Sequence, residues 1–275
     1  MPVGSQTLHA VGLGYAIKYR GRDQVALCFL GDGATSEGDF HEALRRDLAA
    51  NQAVPGALRG AHGAEGTLGW GVRALEHHSE SREAFWAHMP GLKMVIPSGP
   101  RNARALLVAA IRDPDPVIFY EPKAVYRAFR EEVPEDEEVM PIGKSRIARQ
   151  GNDLTAICYG AMLHPTLEAA EELKAKHGVE TEVIDLLTIS PLDDELFTQS
   201  VRKTGRALVV HEAPRSFGPG AEIVSRLMEK SFFYLEAPIR RVTGFDVIIP
   251  LFSRENDYLP NAQRIVRAAR ETVAV

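Results

Sequence analysis

Leu8, Val11, Tyr15 and Tyr19 recur at spacings of three and four, the period of one helical face, so a helix with an apolar stripe opens the chain. After a turn at Gly21, residues 24–30 form an apolar run that reads as a strand. Gly31-Asp32-Gly33 follows, and a further helix is expected from about Ser36. Residues 45–70 break the pattern. They are rich in Ala and Gly and hold no run of β-branched residues, so an irregular connection is expected there. Regular patterning then resumes: a helix over 82–88, a strand over 92–96, a helix over 100–112 and a strand over 117–120. Residues 128–140 are acidic and broken by proline, the composition of a linker. Beyond Pro141, strands at 154–159, 181–186, 207–211 and 239–242 alternate with helices at 165–177, 193–204 and 220–233, and a last helix begins near Pro260. Such alternation predicts doubly wound parallel sheets, with residues 141–275 as a self-contained unit.

The 275 residues are 45% apolar, enough for two α/β cores. The net charge of −5 argues against a nucleic-acid partner, which calls for a basic face. Cys28 and Cys158 each sit inside an apolar run and read as core thiols, so no disulfide framework is expected and a reducing cytoplasm fits. The N-terminus lacks the pattern of a signal peptide, and the longest apolar run is too short to span a bilayer, so no membrane association is expected.

Gly31-Asp32-Gly33 lies where a strand gives way to a helix, the place where open α/β sheets take ligands. A carboxylate there suits magnesium, and glycines let backbone amides approach a diphosphate; alone, the triplet reads more readily as a plain turn. His62, His77, His78 and His88 fall close together, but without cysteine or an i, i+4 pair they make a poor zinc site. An imidazole near neutral pH can instead donate a proton in catalysis. Residues 110–115 close a helix and read as a C-cap loop, and His211-Glu212 reads first as a strand-end pair satisfying loop amides and second as a contact to a neighbouring domain.

Residues 29–40, Phe-Leu-Gly-Asp-Gly-Ala-Thr-Ser-Glu-Gly-Asp-Phe, and the preceding Val-Gly-Ser-Gln-Thr-Leu-His-Ala resemble the alpha subunit of thiamine-diphosphate-dependent 2-oxo acid dehydrogenases. From Gly71 onward the chain resembles the beta subunit of the same enzymes. The resemblance rests on His-His-Ser-Glu-Ser-Arg-Glu-Ala-Phe-Trp at 77–86, Thr-Glu-Val-Ile-Asp-Leu-Leu-Thr-Ile-Ser-Pro-Leu-Asp at 181–193 and Val-His-Glu-Ala-Pro-Arg at 210–215. It implies thiamine-diphosphate-binding fold fragments followed by a transketolase C-terminal-like parallel-sheet domain. The expected divisions are 1–44 (alpha-like), 45–70 (connection), 71–140 (partial pyrimidine-binding-like) and 141–275. By the resemblance Asp32 would hold magnesium, Gly33 and Ala34 would line the diphosphate, and His78 would face thiamine and substrate. Backbone carbonyls of Ala110, Ile111, Asp113 and Asp115 would hold potassium.

The implied activity is oxidative decarboxylation of a 2-oxo acid, pyruvate or branched-chain, with acyl transfer to the lipoyl domain of a dihydrolipoyl acyltransferase, in a homo- or hetero-oligomer. Two family groups have no counterpart here: the Asn-Asn pair that completes the magnesium shell, and the beta-subunit glutamate that activates the aminopyrimidine. Glu65 and Glu76 lie in or beside the connection, with no strand expected to aim them. An assembly subunit or remnant without catalysis therefore stays open, as does a transketolase-like enzyme. An internal deletion, a gene-model artefact and a genuinely shortened protein fit the junction equally.

Overall fold

The structure, a computed structural model, describes residues 4–31, 33–34, 37–44, 62–69, 79–250 and 252–274. Helix α1 (Gln6–Tyr19) leads into β1 (Ala26–Phe29), and α2 covers 38–44. Then come β2 (His62–Leu68), α3 (Glu83–Ala87), β3 (Lys93–Val95), α4 (Pro100–Arg112) and β4 (Val117–Pro122). The second half runs β5 (Arg146–Arg149), β6 (Leu154–Cys158), α5 (Leu163–His177), β7 (Thr181–Asp185), β8 (Thr188–Ser190) and α6 (Asp194–Thr204). It ends with β9 (Ala207–Val210), α7 (Pro219–Ser231), β10 (Arg240–Val242), α8 (Glu255–Tyr258) and α9 (Ala262–Val273).

Two five-stranded sheets result, ordered β1-β2-β4-β3-β8 and β10-β9-β6-β7-β5. In each, four strands run parallel and one edge strand, β8 or β5, runs antiparallel. Strands β6, β7 and β9 are buried at every position, as parallel strands covered on both faces must be. Local chemistry sets the helix ends. Pro100 starts α4 with a preset φ, and the Asn102 carboxamide oxygen accepts from the Ser98 and Gly99 amides at 2.9 and 3.2 Å. Gly178 and Gly205, at φ 68° and 69°, end α5 and α6 in the left-handed conformation.

Four expectations change. The connection over 45–70 contains β2, paired in parallel with β1 (Ala26 opposite His62) and with β4 (Gly63 opposite Val117). A strand held on both edges takes its geometry from its neighbours' hydrogen bonds, so weak β propensity does not prevent it. Glu65 therefore lies on a strand, opposite Phe29 and Phe119. The α1 stripe does not face the core: Thr7, Gly14 and Lys18 are buried, whereas Tyr15 is 54% and Tyr19 81% exposed.

The third change concerns 141–275, whose strands are not confined to one sheet. Its β8 joins the first sheet by pairing with β3. One core cluster also mixes Phe40, Trp86, Met94 and Ile118 with Ile157, Tyr159, Phe197 and Ile223. The acidic stretch 128–140 does link the two halves, but it is strapped to α4, with Arg101 on Glu138 at 2.8 Å and Arg112 on Glu137 at 2.6 Å. The fourth is β5, an edge strand of sequence Arg-Ile-Ala-Arg that no apolar run announces.

A buried polar knot fixes the seam between the halves. Ser98 Oγ donates to Asp185 Oδ2 at 2.6 Å, Arg146 Nε donates to the same oxygen at 3.0 Å, and His164 Nε2 lies 2.9 Å from the Ser98 carbonyl. Burial raises the Asp185 carboxyl, and the neighbouring Arg146 offsets this only in part.

Candidate functional site

The site begins where β9 ends. His211 follows Val210 and is fully buried, its ring stacked on Tyr159 with centroids 6.1 Å apart and planes 13° apart. Two glycines make room for it: a Cβ at Gly220 would lie 2.5 Å from His211 Nε2, and one at Gly218 2.9 Å from Cε1. Neither ring nitrogen makes a well-formed hydrogen bond among the described residues. Burial first, and the charge of Arg241 second, push the imidazole down to about 3 against a weak opposing contribution from the Ala213 backbone. His211 is therefore neutral at physiological pH. Its ring meets the backbone of Ala213 in the loop that follows β9.

On the other face of the stack, the Tyr159 hydroxyl donates to Glu83 Oε1 at 2.7 Å. Glu83 is fully buried and its Oε2 has no partner. Burial raises this carboxyl more than the Tyr159 bond lowers it, and burial with the adjacent Glu83 pushes the Tyr159 hydroxyl well above its ordinary range. The Ser79 and Ser81 hydroxyls and Trp86 Nε1 are likewise buried and unpartnered. Native proteins leave few such atoms, so their concentration over residues 79–86 marks a place with a role beyond packing. Beside them lies a cavity of about 640 Å³, lined by His41, Phe85, Trp86, His88, Met89 and Phe217 among others.

At the same corner the Gly69 amide donates to the Glu80 carbonyl at 3.1 Å. The Glu212 carboxylate packs against Gly69, where a Cβ would meet both oxygens at 2.5 Å and where φ is 74°. Glycine is the residue that permits both the conformation and the approach. His78 itself, like Asp32, lies outside the described residues.

Gly33 and Ala34 are described. The Ala34 amide donates back to the Gly31 carbonyl at 3.0 Å, its own carbonyl accepts from Glu37, and its side chain is buried. That amide is committed within its own turn. Among the described residues there is also no group of three His, Cys, Asp or Glu side chains able to hold a metal.

At the end of α4 the Asp113 amide donates to the Ala110 carbonyl at 3.3 Å, the geometry of a C-cap. The Lys93 ammonium, which the sequence did not single out, sits between Asp113 at 2.8 Å and Asp115 at 3.0 Å. Ala110, Ile111, Asp113 and Asp115 are thus brought together, with a lysine already neutralising the two carboxylates. The Glu83–Tyr159 pair was also missed: 76 residues separate its members, and although Glu83 lies within the 77–86 motif, nothing in the spelling points to Tyr159 as its partner.

Three families match the chain: dehydrogenase E1 component over residues 1–55, transketolase pyrimidine-binding domain over 32–140, and transketolase C-terminal domain over 143–265. The first two overlap across the junction read from the sequence. Among curated proteins, the pyruvate dehydrogenase E1 component subunit beta of Acholeplasma laidlawii is 45% identical over 84% of this chain and 69% of its own length. That of Staphylococcus aureus strain COL is 48% identical over 76% of this chain, which spans 64% of that relative. Among solved structures, a split-gene transketolase described as an inactive beta4 tetramer aligns with a TM-score of 0.74 at 20% identity, over 98% of this chain and 81% of that one. A transketolase point mutant from Pichia stipitis aligns at 0.61 and 12%, over 90% and 34%. These two establish the transketolase-like fold. With the β-subunit relatives, they show that the chain belongs to the thiamine-diphosphate-dependent 2-oxo acid dehydrogenase family, as a relative of the pyruvate dehydrogenase E1 beta subunit.

Proposed function

We propose that the chain serves as a beta-type component of a 2-oxo acid dehydrogenase complex, taking part in oxidative decarboxylation of pyruvate and transfer of the acyl group to the lipoyl-lysine of a dihydrolipoyl acyltransferase. The observation that carries this is the buried Glu83–Tyr159 pair, at a corner where the Gly69 amide donates to the Glu80 carbonyl and Glu212 packs against Gly69. Pyruvate is preferred to a branched-chain acid because the matched relatives are pyruvate dehydrogenase subunits.

The inward-turned Ala34 amide supports a division of labour, in which a partner chain supplies the diphosphate and magnesium half together with the missing glutamate. On this reading Asp32 adds at most one metal ligand, and His78 is the proton donor toward substrate. The assay is ferricyanide reduction with pyruvate or 3-methyl-2-oxobutanoate, run on the chain alone, on the chain with an alpha-type subunit, and on that mixture with His78→Ala. The expected outcome is no turnover alone and pyruvate-dependent turnover on mixing, lowered roughly a hundred- to ten-thousand-fold by His78→Ala. Silence in every mixture would overturn the catalytic reading and leave an assembly subunit.

A further inference from the structure

Two buried carboxyls tie the halves of the molecule together, and they are held differently. Asp185 faces the Arg146 guanidinium at 3.0 Å. Glu83, in the first turn of α3, has no such cation among the described residues. It accepts one hydrogen bond across the halves, from the Tyr159 hydroxyl, and its Oε2 is buried without a partner.

The charged and titratable groups around it are engaged or neutral. Tyr159 follows β6 and stacks on the neutral His211 ring. Arg241 reaches toward His211 but donates to the Arg215 carbonyl. Glu212, beside His211, is a second buried carboxyl in the same field. After burial, Glu83 and Glu212 both raise the Tyr159 hydroxyl, and Asp246, Glu212 and Glu83 raise that of Tyr258 in α8. Helix α3 packs on β3 and β8. From β3, the Lys93 ammonium is held by Asp113 and Asp115, and β8, Thr-Ile-Ser, brings no charge. Next to α3 in sequence, Arg82 pairs with Glu80.

We propose that Glu83 is a pH-sensitive latch: as the neutral acid it fastens α3 to the end of β6, and its ionisation as pH rises loosens α3 from the second half. With Oε1 taken by Tyr159, the proton sits on Oε2. A buried hydroxyl without an acceptor costs far less than a buried carboxylate without a cation. Ionised, Glu83 would set a full charge against a single neutral donor, with Glu212 nearby. Burial raises the carboxyl, against the Tyr159 bond and its own backbone amide, which lower it. The folded chain thus holds this proton to a higher pH than the unfolded chain, so the stability the latch contributes is present at low pH and lost as pH rises through the folded value. Helix α3 has five residues and belongs to neither sheet, so its displacement hydrates the charge without unpairing a strand. The inference needs no cofactor and stands apart from the proposed reaction.

The experiment uses the full chain. Infrared spectra of the parent at neutral pH should show a protonated-carboxyl band that Glu83→Gln removes and Tyr159→Phe shifts to higher frequency, because the hydrogen bond on its carbonyl is gone. Asp185 is common to all three chains and drops out of the difference spectra. Urea midpoints taken from about pH 5 to about pH 9 should show the parent falling steadily against Glu83→Gln, whose carboxamide keeps an acceptor for Tyr159 and cannot ionise. Deuterium uptake over residues 83–87, corrected for the intrinsic pH dependence of exchange, should rise in the parent across that range and stay level in Glu83→Gln. A midpoint difference that is flat or reversed, or a parent spectrum with no band that responds to Tyr159→Phe, would overturn the proposal. Should Glu83→Gln fail to fold, the spectra of the parent and Tyr159→Phe decide alone: a shifted band supports the latch, and an unshifted or missing one refutes it.

Discussion

The two sheets of this molecule are built from the same alternation of strand and helix, yet they end differently. In the second sheet the three central strands are buried throughout, and its antiparallel edge strand β5 is guarded by Arg146 and Arg149, both engaged with acidic partners. In the first sheet the outer strand β1 carries exposed Leu27 and Phe29 and no charge, and the helix beside it exposes Tyr15 and Tyr19. Family resemblance does not separate these two edges, since both lie within matched regions. What separates them is whether the neighbouring chain segment finishes the sheet. The outer edge of the first sheet is therefore apolar and exposed, where the antiparallel edge of the second is charged and paired.

The largest effect should come from breaking the core that both halves share. Trp86 is buried against Phe40 of the alpha-like fragment, with centroids 5.0 Å apart, within a cluster that also holds Tyr159 and Phe197. Trp86→Ala should cost about 3–5 kcal/mol in urea unfolding, the usual penalty for emptying a large aromatic site. Tyr19→Ser, on the exposed stripe, should stay within about 0.5 kcal/mol. Equal costs at the two positions would mean that the two regions do not differ as described.

How much of this could be read beforehand depends on where the information sits. The bounds of α4 were legible because Pro100 and Arg112 mark them locally. β9 announced itself as an unbroken apolar run and β6 nearly so, the pattern of fully buried parallel strands, whereas β7 is buried throughout although it carries Glu182 and Asp185. β2 was hidden because its Gly/Ala-rich residues are paired on both sides and need no strand propensity of their own. β8 was hidden because three residues, Thr188–Ser190, cross into the other sheet. The candidate site divides in the same way. Asp32 and His78 come from motif spelling, whereas Glu83, Lys93 and the neutral state of His211 arise from contacts made only on folding.

A medium effect should appear on acidification. His211 has its pKa lowered from 6.5 to about 3 in the folded chain. Its contribution to stability is thus fully present above pH 6.5 and is lost as pH falls from there toward 3, because the unfolded chain binds a proton that the folded chain refuses. Between pH 7 and pH 5 the loss is about 2 kcal/mol. Burial raises the Glu83 and Asp185 carboxyls, which tilts the curve the opposite way, but it does so in any His211 variant as well. The measurement is the difference in urea-unfolding free energy between the parent and His211→Leu at several pH values. That difference should shift by this amount toward low pH; a flat difference would mean that the imidazole reaches solvent.

The smallest effect concerns the loop after α4, and it decides between two uses of the same carbonyls. If backbone oxygens of Ala110, Ile111, Asp113 and Asp115 take up potassium, the ion binds the folded state only and raises its stability by mass action. Lys93 sets the limit, because its ammonium already lies 2.8 Å from Asp113 and 3.0 Å from Asp115 and competes for the same negative charge. The expected gain in potassium over tetramethylammonium at equal concentration is therefore modest, about 1 kcal/mol for an ion present at a few times its dissociation constant. Lys93→Gln removes the competitor and leaves two unpaired carboxylates. It should lower stability in tetramethylammonium and widen the potassium-dependent gain in melting temperature. A parent chain that melts identically in the two salts, together with a Lys93→Gln variant that does the same, would reduce the loop to a helix cap held by a lysine.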